Sequence, residues 1–274
     1  MNKNELKKLN SKARWLRKSV LLTAEKTGGR GAHLGGTMSC IEILIALYYS
    51  GFLNIPKSTH KNWENRDRII IGKGHAHIAL YHIWNDLGFL SNNKLNTYGL
   101  NGSKLGAQLD RNLKISEYNT GSLGHAIGVA AGICLSSRFD KKKYKAYALI
   151  GDGECESGSI WESVINADKE NIKNLITIVD MNRLSEFQIM KDDSDDILKE
   201  KFISFGWDAE IIDGHNFEQL FKSLNNCQKN KKPKVIIANT IKGKGVSFME
   251  NNVDWHHKAP SPLEFKKALS EYHD

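Results

Sequence analysis

Two apolar segments, each followed at once by oxygen-bearing side chains, constrain the fold of this chain more than any other feature. The first segment ends in Gly151-Asp-Gly153 and the second ends in Asp180-Met-Asn182, with an amphipathic stretch between them. This order predicts two parallel strands joined by a helix, with Asp152 and Asn182 at the carboxyl edge of the sheet, where open α/β sheets bind ligands. A carboxylate and an amide oxygen suit Mg²⁺, and the glycines let the main chain approach a phosphate.

Apolar runs and helical periodicities alternate along the rest of the chain. Further strands are predicted at Arg68–Ile71, Ala209–Gly214 and Val235–Thr240. Helices are predicted at Leu6–Lys26, at Ser39–Tyr49, from His75 to Leu87, from Thr120-Gly-Ser-Leu-Gly124 onward, at Phe217–Gln228 and at Ser261–Tyr272. This alternation predicts an α/β fold, doubly wound, with a mainly parallel sheet and helices on both faces. No interdomain linker or internal repeat is evident, so residues 1–274 are predicted to form a single domain.

The composition argues against several classes of protein. The 274 residues carry a net charge of +8, but the lysines are dispersed and form no stripe with aromatic side chains, so nucleic-acid binding is not indicated. The four cysteines form no CxxC pair, which argues against zinc and disulfides and favours reduced thiols in the cytoplasm. No apolar run approaches the roughly 20 residues of a membrane span, and the first residues lack the apolar core of a signal peptide.

Glycine-rich turns and histidines gather at the predicted carboxyl edge. Three such turns follow predicted strands, at Gly72-Lys-Gly74, Gly151-Asp-Gly153 and Gly243-Lys-Gly245. One glycine turn means little, but three at one edge indicate a diphosphate site. The histidines that adjoin glycine-rich turns are His33, His75, His125 and His256. At this edge they can donate hydrogen bonds to phosphate or move protons, and their spacings match no zinc pattern.

The spacing and order of several motifs along the chain indicate a family resemblance. It has neither the GxGxxG nor the GxxxxGK[ST] motif, but Asp152 and Asn182 stand 30 residues apart, as in the GDG…Asn motif of thiamine-diphosphate enzymes. Further segments occur in the order typical of transketolases and cover nearly the whole chain. They are Ala32-His-Leu-Gly35 followed by Glu42, Gly72-Lys-Gly-His75, Thr120-Gly-Ser-Leu-Gly124, Lys242-Gly-Lys-Gly245 and Trp255-His256.

The resemblance implies thiamine diphosphate and Mg²⁺ as cofactors. Mg²⁺ would be held by Asp152, Asn182 and the main-chain carbonyl of Leu184. The residues expected to contact thiamine diphosphate are His75, Gly121, Ser122, Leu123, Gly153, Asn182, Lys242 and His256. His33, Gln108 and His256 would face the substrate, with His33 and His256 moving protons while a two-carbon ketol unit passes from a ketose to an aldose.

The resemblance covers only the N-terminal half of a full-length transketolase. In split transketolases the pyrimidine-binding and C-terminal domains lie on a second polypeptide. The chain is therefore expected to be the diphosphate-binding subunit of an α2β2 enzyme, inactive without its C-terminal subunit, which supplies the glutamate that activates the cofactor.

Four positions depart from the transketolase pattern, among them Ala32 where glycine is usual and Leu34 where proline is common. Gln108 stands where the family has a histidine near the substrate hydroxyls, and an amide cannot carry a proton at neutral pH. Ser157 replaces a glutamate of the carboxylate network between paired active sites, while Glu162 is retained and Glu156 is expected to point differently. These changes favour specialisation for an unusual sugar.

Two other functions remain open from the sequence. The α subunit of a 2-oxoacid or acetoin dehydrogenase E1 is also split and also carries GDG and Asn, although His33, His75 and Trp255-His256 favour transketolase. A non-catalytic cofactor-binding or regulatory partner is the second alternative. The intact Asp152 and Asn182 argue against it, whereas Ser157 keeps it open.

Overall fold

Five parallel strands form the sheet of this protein, for which the computed structural model describes residues 1–29, 31–56, 63–184, 194–256 and 258–272. The strands are β1 (Arg68–Ile71), β2 (Ala146–Gly151), β3 (Leu175–Met181), β4 (Asp208–Asp213) and β5 (Lys234–Asn239). They lie in the order β1-β2-β3-β5-β4, and all neighbours pair in parallel. Gly151 at the end of β2 pairs with Asp180 on β3, so the turn after β2 lies beside the end of β3.

Helices cover both faces of the sheet, because its central strands are apolar on both sides. They are α1 (Lys3–Lys26), α2 (Leu34–Ser39), α3 (Ile41–Tyr49), α4 (His77–Asp86), α5 (Asn92–Leu95), α6 (Ala126–Phe139), α7 (Gly158–Lys169), α8 (Ser194–Ser204), α9 (Phe217–Asn226) and α10 (Pro262–Ser270). On one face α1, α3, α4, α9 and α10 build a buried cluster that includes Leu16 and Leu44. On the other face α6, α7 and α8 build a second cluster that includes Val164 and Phe202. No helix in the described ranges is long and apolar enough to cross a bilayer.

The predicted doubly wound α/β fold is confirmed, and the predicted strands are present to within one residue. Strands are short, apolar and bounded by glycine or polar residues in this sequence, so their ends are visible in the pattern. The single-domain prediction for residues 1–274 stays a prediction.

Two predicted helix boundaries are wrong. The segment Ser39–Tyr49 belongs to two helices, α2 and α3, which meet at Cys40, where φ is −98° and ψ is 12°. This stretch is apolar throughout, so no change of periodicity marks the break. Helix α6 begins at Ala126 and not within the preceding glycine turn, because Gly121 and Gly124 have φ of 139° and 90°.

Helix α8 has no counterpart among the predicted elements. Its sequence is mostly polar, and Leu198 and Phe202 are its buried apolar residues. Ile197 and Ile203 are also apolar but exposed, so the apolar residues do not share one side of the helix and give no amphipathic periodicity on which a helix prediction could depend.

A buried ion pair ties the turn after β1 to β3. The Lys73 ammonium contacts the Asp180 carboxylate, and both side chains are at most 2% exposed. Asp180 also accepts hydrogen bonds from the hydroxyls of Ser39, at 2.6 Å, and Thr240. Burial alone would raise the pKa of Asp180, but the Lys73 charge and these hydrogen bonds lower it. The carboxylate is therefore ionised and satisfied by groups from three other segments.

Replacing Asp180 by Asn is expected to lower the free energy of unfolding by about 3–5 kcal/mol, because the Lys73 ammonium would stay buried without its counter-charge. Urea denaturation followed by circular dichroism measures this. The matched control is Lys12→Gln, which removes the cation of the partly exposed Lys12–Asp86 pair. It is expected to cost less than about 1 kcal/mol. An unchanged unfolding midpoint in the Asp180→Asn variant would contradict the role assigned to the pair.

Candidate active site

The carboxyl ends of β1, β2 and β3 open into a cavity of about 240 Å³. Residues from the turns after these strands line it, together with residues from α2, from the turn before α6 and from the segments after β5. The lining consists of Gly36, Lys73, His75, Leu123, Gly151, Asp152, Gly153, Glu154, Glu156, Asn182, Leu184, Lys242 and His256. Most of the residues predicted to bind cofactor or metal thus meet in one place.

Asp152, Asn182 and Leu184 present oxygen atoms at this cavity. The two carboxylate oxygens of Asp152 accept hydrogen bonds from the amides of Gly153, at 2.8 Å, and Arg183, at 2.6 Å. Asn182 Oδ1 accepts one from the amide of Leu184 at 3.1 Å. Each oxygen keeps a further lone pair, and a carboxylate with amide oxygens is a donor set for a hard cation. The residues present therefore fit Mg²⁺.

The electrostatics of the cavity favour a cation and a phosphate side by side. Burial and the charge of Asp180 raise the pKa of Asp152, so a bound cation would relieve an unfavourable concentration of negative charge. The Lys242 ammonium already donates to the carbonyl of Leu184 at 2.8 Å and contacts His256 Nδ1 at 2.7 Å. Lys242 is only 1% exposed. A buried ammonium next to oxygen donors for a metal is suited to binding a diphosphate.

Three of the four histidines predicted to meet at this edge do so. The ring centroids of His33, His75 and His256 lie 5.6 to 6.4 Å apart in pairs. Burial lowers the pKa of His75 well below its ordinary value, so this ring is neutral near pH 7. His125 is exposed at the start of α6 and is not in ring contact with these three histidines among the described contacts.

Glu154 connects the turn after β1 with the turn before α6, and it is not among the site residues predicted from the sequence. Its buried carboxylate accepts a hydrogen bond from the amide of Gly124 at 3.0 Å. Gly72, which follows β1, packs against the same carboxylate, where a Cβ atom would have no room. Burial raises the pKa of Glu154 to about 7. The sequence feature that could have identified Glu154 is its position directly after Gly151-Asp-Gly153.

The third glycine turn, Gly243-Lys-Gly245, shapes the main chain and does not line the cavity. Gly243 and Gly245 have φ of 78° and 90°. Cβ atoms at these positions would collide with the main chain of Met249 and the side chain of Arg17. The contribution of this segment to the cavity comes from Lys242, immediately before the turn.

Of the turn before α6, Leu123 lines the cavity, and it is 46% exposed. Gly121 and Ser122 are exposed beside it, and the Ser122 hydroxyl lies 3.3 Å from Nε2 of His125. The roles of Gly121 and Ser122 in cofactor binding stay predictions.

Residues 91–118 form a segment that, apart from the short helix α5, contains no regular helix or strand. This segment places Gln108 against Gly74, in the turn after β1. Gln108 Oε1 accepts a hydrogen bond from the Thr120 hydroxyl at 2.8 Å and packs against Gly74. Gln108 is half-buried and absent from the cavity lining as the structure describes it, so its contact with substrate stays a prediction. Another part of this segment lines a separate cavity of about 560 Å³, which contains none of the predicted site residues.

Residues 156 and 157 differ in their position relative to the cavity. Glu156 lines it, whereas Ser157 precedes α7 and packs against Gly124. Glu162 is exposed on α7.

Known proteins match this chain along most of its length. Residues 12–270 match the family model described as transketolase, thiamine diphosphate binding domain. An apulose-4-phosphate transketolase subunit from Actinobacillus succinogenes is 37% identical over 269 residues, which cover 97% of this chain and 96% of the relative. The protein of the same name from Phocaeicola vulgatus is 34% identical over 247 residues, which cover 88% of this chain and 86% of the relative.

The crystal structure of transketolase from Campylobacter jejuni has the same fold. It is 26% identical in sequence and superposes with a TM-score of 0.84 over 99% of this chain. The matched region is 43% of that transketolase chain. The chain described here belongs to the transketolase family, and its matched part is the thiamine diphosphate binding domain.

Proposed function

We propose that this chain is the diphosphate-binding subunit of a two-subunit transketolase, which transfers a two-carbon ketol unit from a ketose or its phosphate to an aldose or its phosphate. The observation that carries the proposal is the single cavity in which Asp152, Asn182, Lys242 and His75 meet. The near full-length match with two relatives that are themselves named as transketolase subunits supports the two-subunit arrangement. The match with the transketolase family model favours this function over that of a 2-oxoacid or acetoin dehydrogenase subunit.

Asp152, Asn182 and the carbonyl of Leu184 are the proposed ligands of Mg²⁺, and Lys242 and His75 the proposed partners of the diphosphate. Further cofactor contacts are proposed at Gly121, Ser122, Leu123, Gly153, Asn182 and His256. When bound, thiamine diphosphate supplies the carbanion that adds to the ketose carbonyl and the electron sink for cleavage. The protein's own part is to orient charges that need no rearrangement during the reaction.

In the proposed mechanism His33 and His256 move protons at the sugar hydroxyls, with His33 as acceptor and His256 as donor. His256 Nδ1 faces the Lys242 ammonium at 2.7 Å, so the neutral His256 ring carries its proton on Nε2. The His33 ring adjoins both His75 and His256. Because His75 is neutral, it can hydrogen-bond to the ligand without adding charge to the cluster.

The proposed assembly is an α2β2 enzyme of the cytoplasm. The partner is a C-terminal transketolase subunit with the pyrimidine-binding domain, which supplies the glutamate that activates the cofactor's aminopyrimidine. The described cysteines are buried and unpaired, which suits a reducing compartment.

The proposed substrate is an unusual sugar. The motivation is Gln108, whose Oε1 is held by the Thr120 hydroxyl at 2.8 Å, in place of a histidine near the substrate hydroxyls. An amide there can hydrogen-bond but cannot move a proton. The names of the relatives from Actinobacillus succinogenes and Phocaeicola vulgatus, which specify apulose 4-phosphate, support this direction.

The chain purified alone, with Mg²⁺ and thiamine diphosphate, is expected to show no transketolase turnover, because the activating carboxylate belongs to the partner. Addition of the C-terminal subunit is expected to restore ketol transfer, measured by coupled assay of the released aldose. Full turnover by the chain alone would refute the two-subunit proposal. Cofactor binding by the pair without turnover on any ketose would support the non-catalytic alternative.

Replacing Asp152 by Asn in the assembled enzyme is expected to weaken the binding of thiamine diphosphate with Mg²⁺ by roughly 100-fold, a loss of about 2.7 kcal/mol, because the site loses its charged metal ligand. Quenching of intrinsic tryptophan fluorescence during cofactor titration measures the affinity. Asp196→Asn, at an exposed carboxylate on α8, is the control and is expected to leave the affinity unchanged. Unchanged affinity in the Asp152→Asn variant would rule out the assigned metal site.

Steady-state kinetics with several ketoses tests the substrate proposal. Apulose 4-phosphate is expected to be used with a kcat/KM at least about tenfold above that for xylulose 5-phosphate, a difference of about 1.4 kcal/mol in transition-state stabilisation. Gln108→His is expected to raise kcat/KM for xylulose 5-phosphate, since it restores a side chain that carries a proton. High efficiency of the unmodified enzyme on xylulose 5-phosphate would count against specialisation.

A further inference from the structure

The main chain on both sides of Lys242 is held by buried side chains that do not line the cavity. The amide of Ile241, one residue before Lys242, donates to His215 Nε2 at 2.8 Å. The carbonyl of Lys244, two residues after, accepts a hydrogen bond from Arg17 Nε at 2.8 Å. His215 and Arg17 therefore add side-chain contacts to the main-chain hydrogen bonds that fix the backbone at Lys242, such as the one from the Gly243 amide to the Gly35 carbonyl at 2.9 Å.

Glu42 connects these two contacts. Its carboxylate accepts hydrogen bonds from both terminal nitrogens of Arg17, at 2.6 and 2.7 Å, and Oε2 lies 2.9 Å from His215 Nδ1. The side chains of Glu42, Arg17 and His215 are 9%, 8% and 14% exposed. Burial alone would raise the pKa of Glu42, but the hydrogen bond from His215 and the charge of Arg17 lower it to about 2. One ionised carboxylate on α3 thus orients groups from α1 and from the turn after β4.

The hydrogen bonds of His215 determine its tautomer. The amide of Ile241 can only donate, so Nε2 carries the lone pair. Nδ1 then carries the proton and donates it to Glu42. Carboxylate, imidazole and amide form a directed chain, and each member fixes the orientation of the next.

We propose that Glu42 and His215 are positioning residues that hold the Lys242 ammonium in place for the diphosphate. The identity of that ligand rests on the function proposed above. Neither residue is among the described residues that line the cavity, so both act through the main chain. His215 contacts the amide of Ile241, and Glu42 acts on both sides of Lys242, through His215 and through Arg17. The Lys242 side chain has rotatable bonds, so a fixed backbone restricts where its ammonium lies before the ligand arrives.

Two amide variants at position 215 separate positioning from general stability. In His215→Gln the amide oxygen reaches about as far as Nε2 and can accept from Ile241. In His215→Asn the shorter amide can still donate to Glu42 but leaves the Ile241 amide without its acceptor. With the partner subunit and Mg²⁺ present, His215→Asn is expected to weaken thiamine diphosphate binding by roughly tenfold, while His215→Gln stays within about threefold of the unmodified enzyme.

Isothermal titration calorimetry measures these affinities, and urea unfolding of the same variants provides the stability control. Similar unfolding midpoints with different affinities are the expected result. Nitrogen-15 NMR of the full chain is expected to show an unprotonated Nε2 at His215, a readout that needs no cofactor. Equal affinities in the two variants, or a protonated Nε2, would overturn the proposal. If the unmodified pair of subunits binds no thiamine diphosphate, the proposed function itself fails, which is a distinguishable result.

Discussion

The site depends on the buried carboxylate of Asp180. It receives the ammonium of Lys73 from the turn after β1, the hydroxyl of Ser39 from α2 and the hydroxyl of Thr240 from the end of β5. Each of these three segments, and the end of β3 itself, contributes residues to the cavity within a few positions of Asp180 or its partner. Because an unpaired buried charge is costly, this carboxylate adds an electrostatic link between segments that parallel strand pairing brings to one carboxyl edge. The cavity therefore forms where the contacts of Asp180 with Lys73, Ser39 and Thr240 connect the segments at the carboxyl edge of the sheet.

Charge also explains the division of roles within the cavity. Asp152 and Asn182 offer oxygens whose orientation is set by main-chain amides, so they suit a cation. Lys242 supplies a positive charge that suits an anion, and the main chain beside it is held by His215 and, through His215, by Glu42. Burial lowers the pKa of His75, so this ring stays neutral and adds no charge beside His33 and His256. This arrangement supports the proposal that the cavity binds a diphosphate together with a metal ion.

The parts predicted from the sequence are those that local patterns encode. Gly151-Asp-Gly153 and Asn182 follow apolar strands, so their meeting at one edge follows from parallel pairing. Glu154 and His215 were not found, because their roles arise from contacts with Gly124 and Ile241, distant in sequence. Helix α8 is not predicted because its apolar residues lie on both its buried and its exposed sides, which gives no helical periodicity in the sequence. The turn Gly243-Lys-Gly245 is predicted to be part of the diphosphate site, but its glycines allow close packing and do not line the cavity. The sequence cannot separate the two cases, because close packing and ligand binding both require glycine.

The most direct test of the diphosphate-binding role is a crystal structure of this chain with its C-terminal subunit, thiamine diphosphate and Mg²⁺. The expected result is Mg²⁺ at about 2.0–2.2 Å from oxygens of Asp152, Asn182 and Leu184, with the diphosphate beside the Lys242 ammonium. Cofactor phosphates bound away from this cavity, or a metal ion without contact to these three oxygens, would contradict the assigned site.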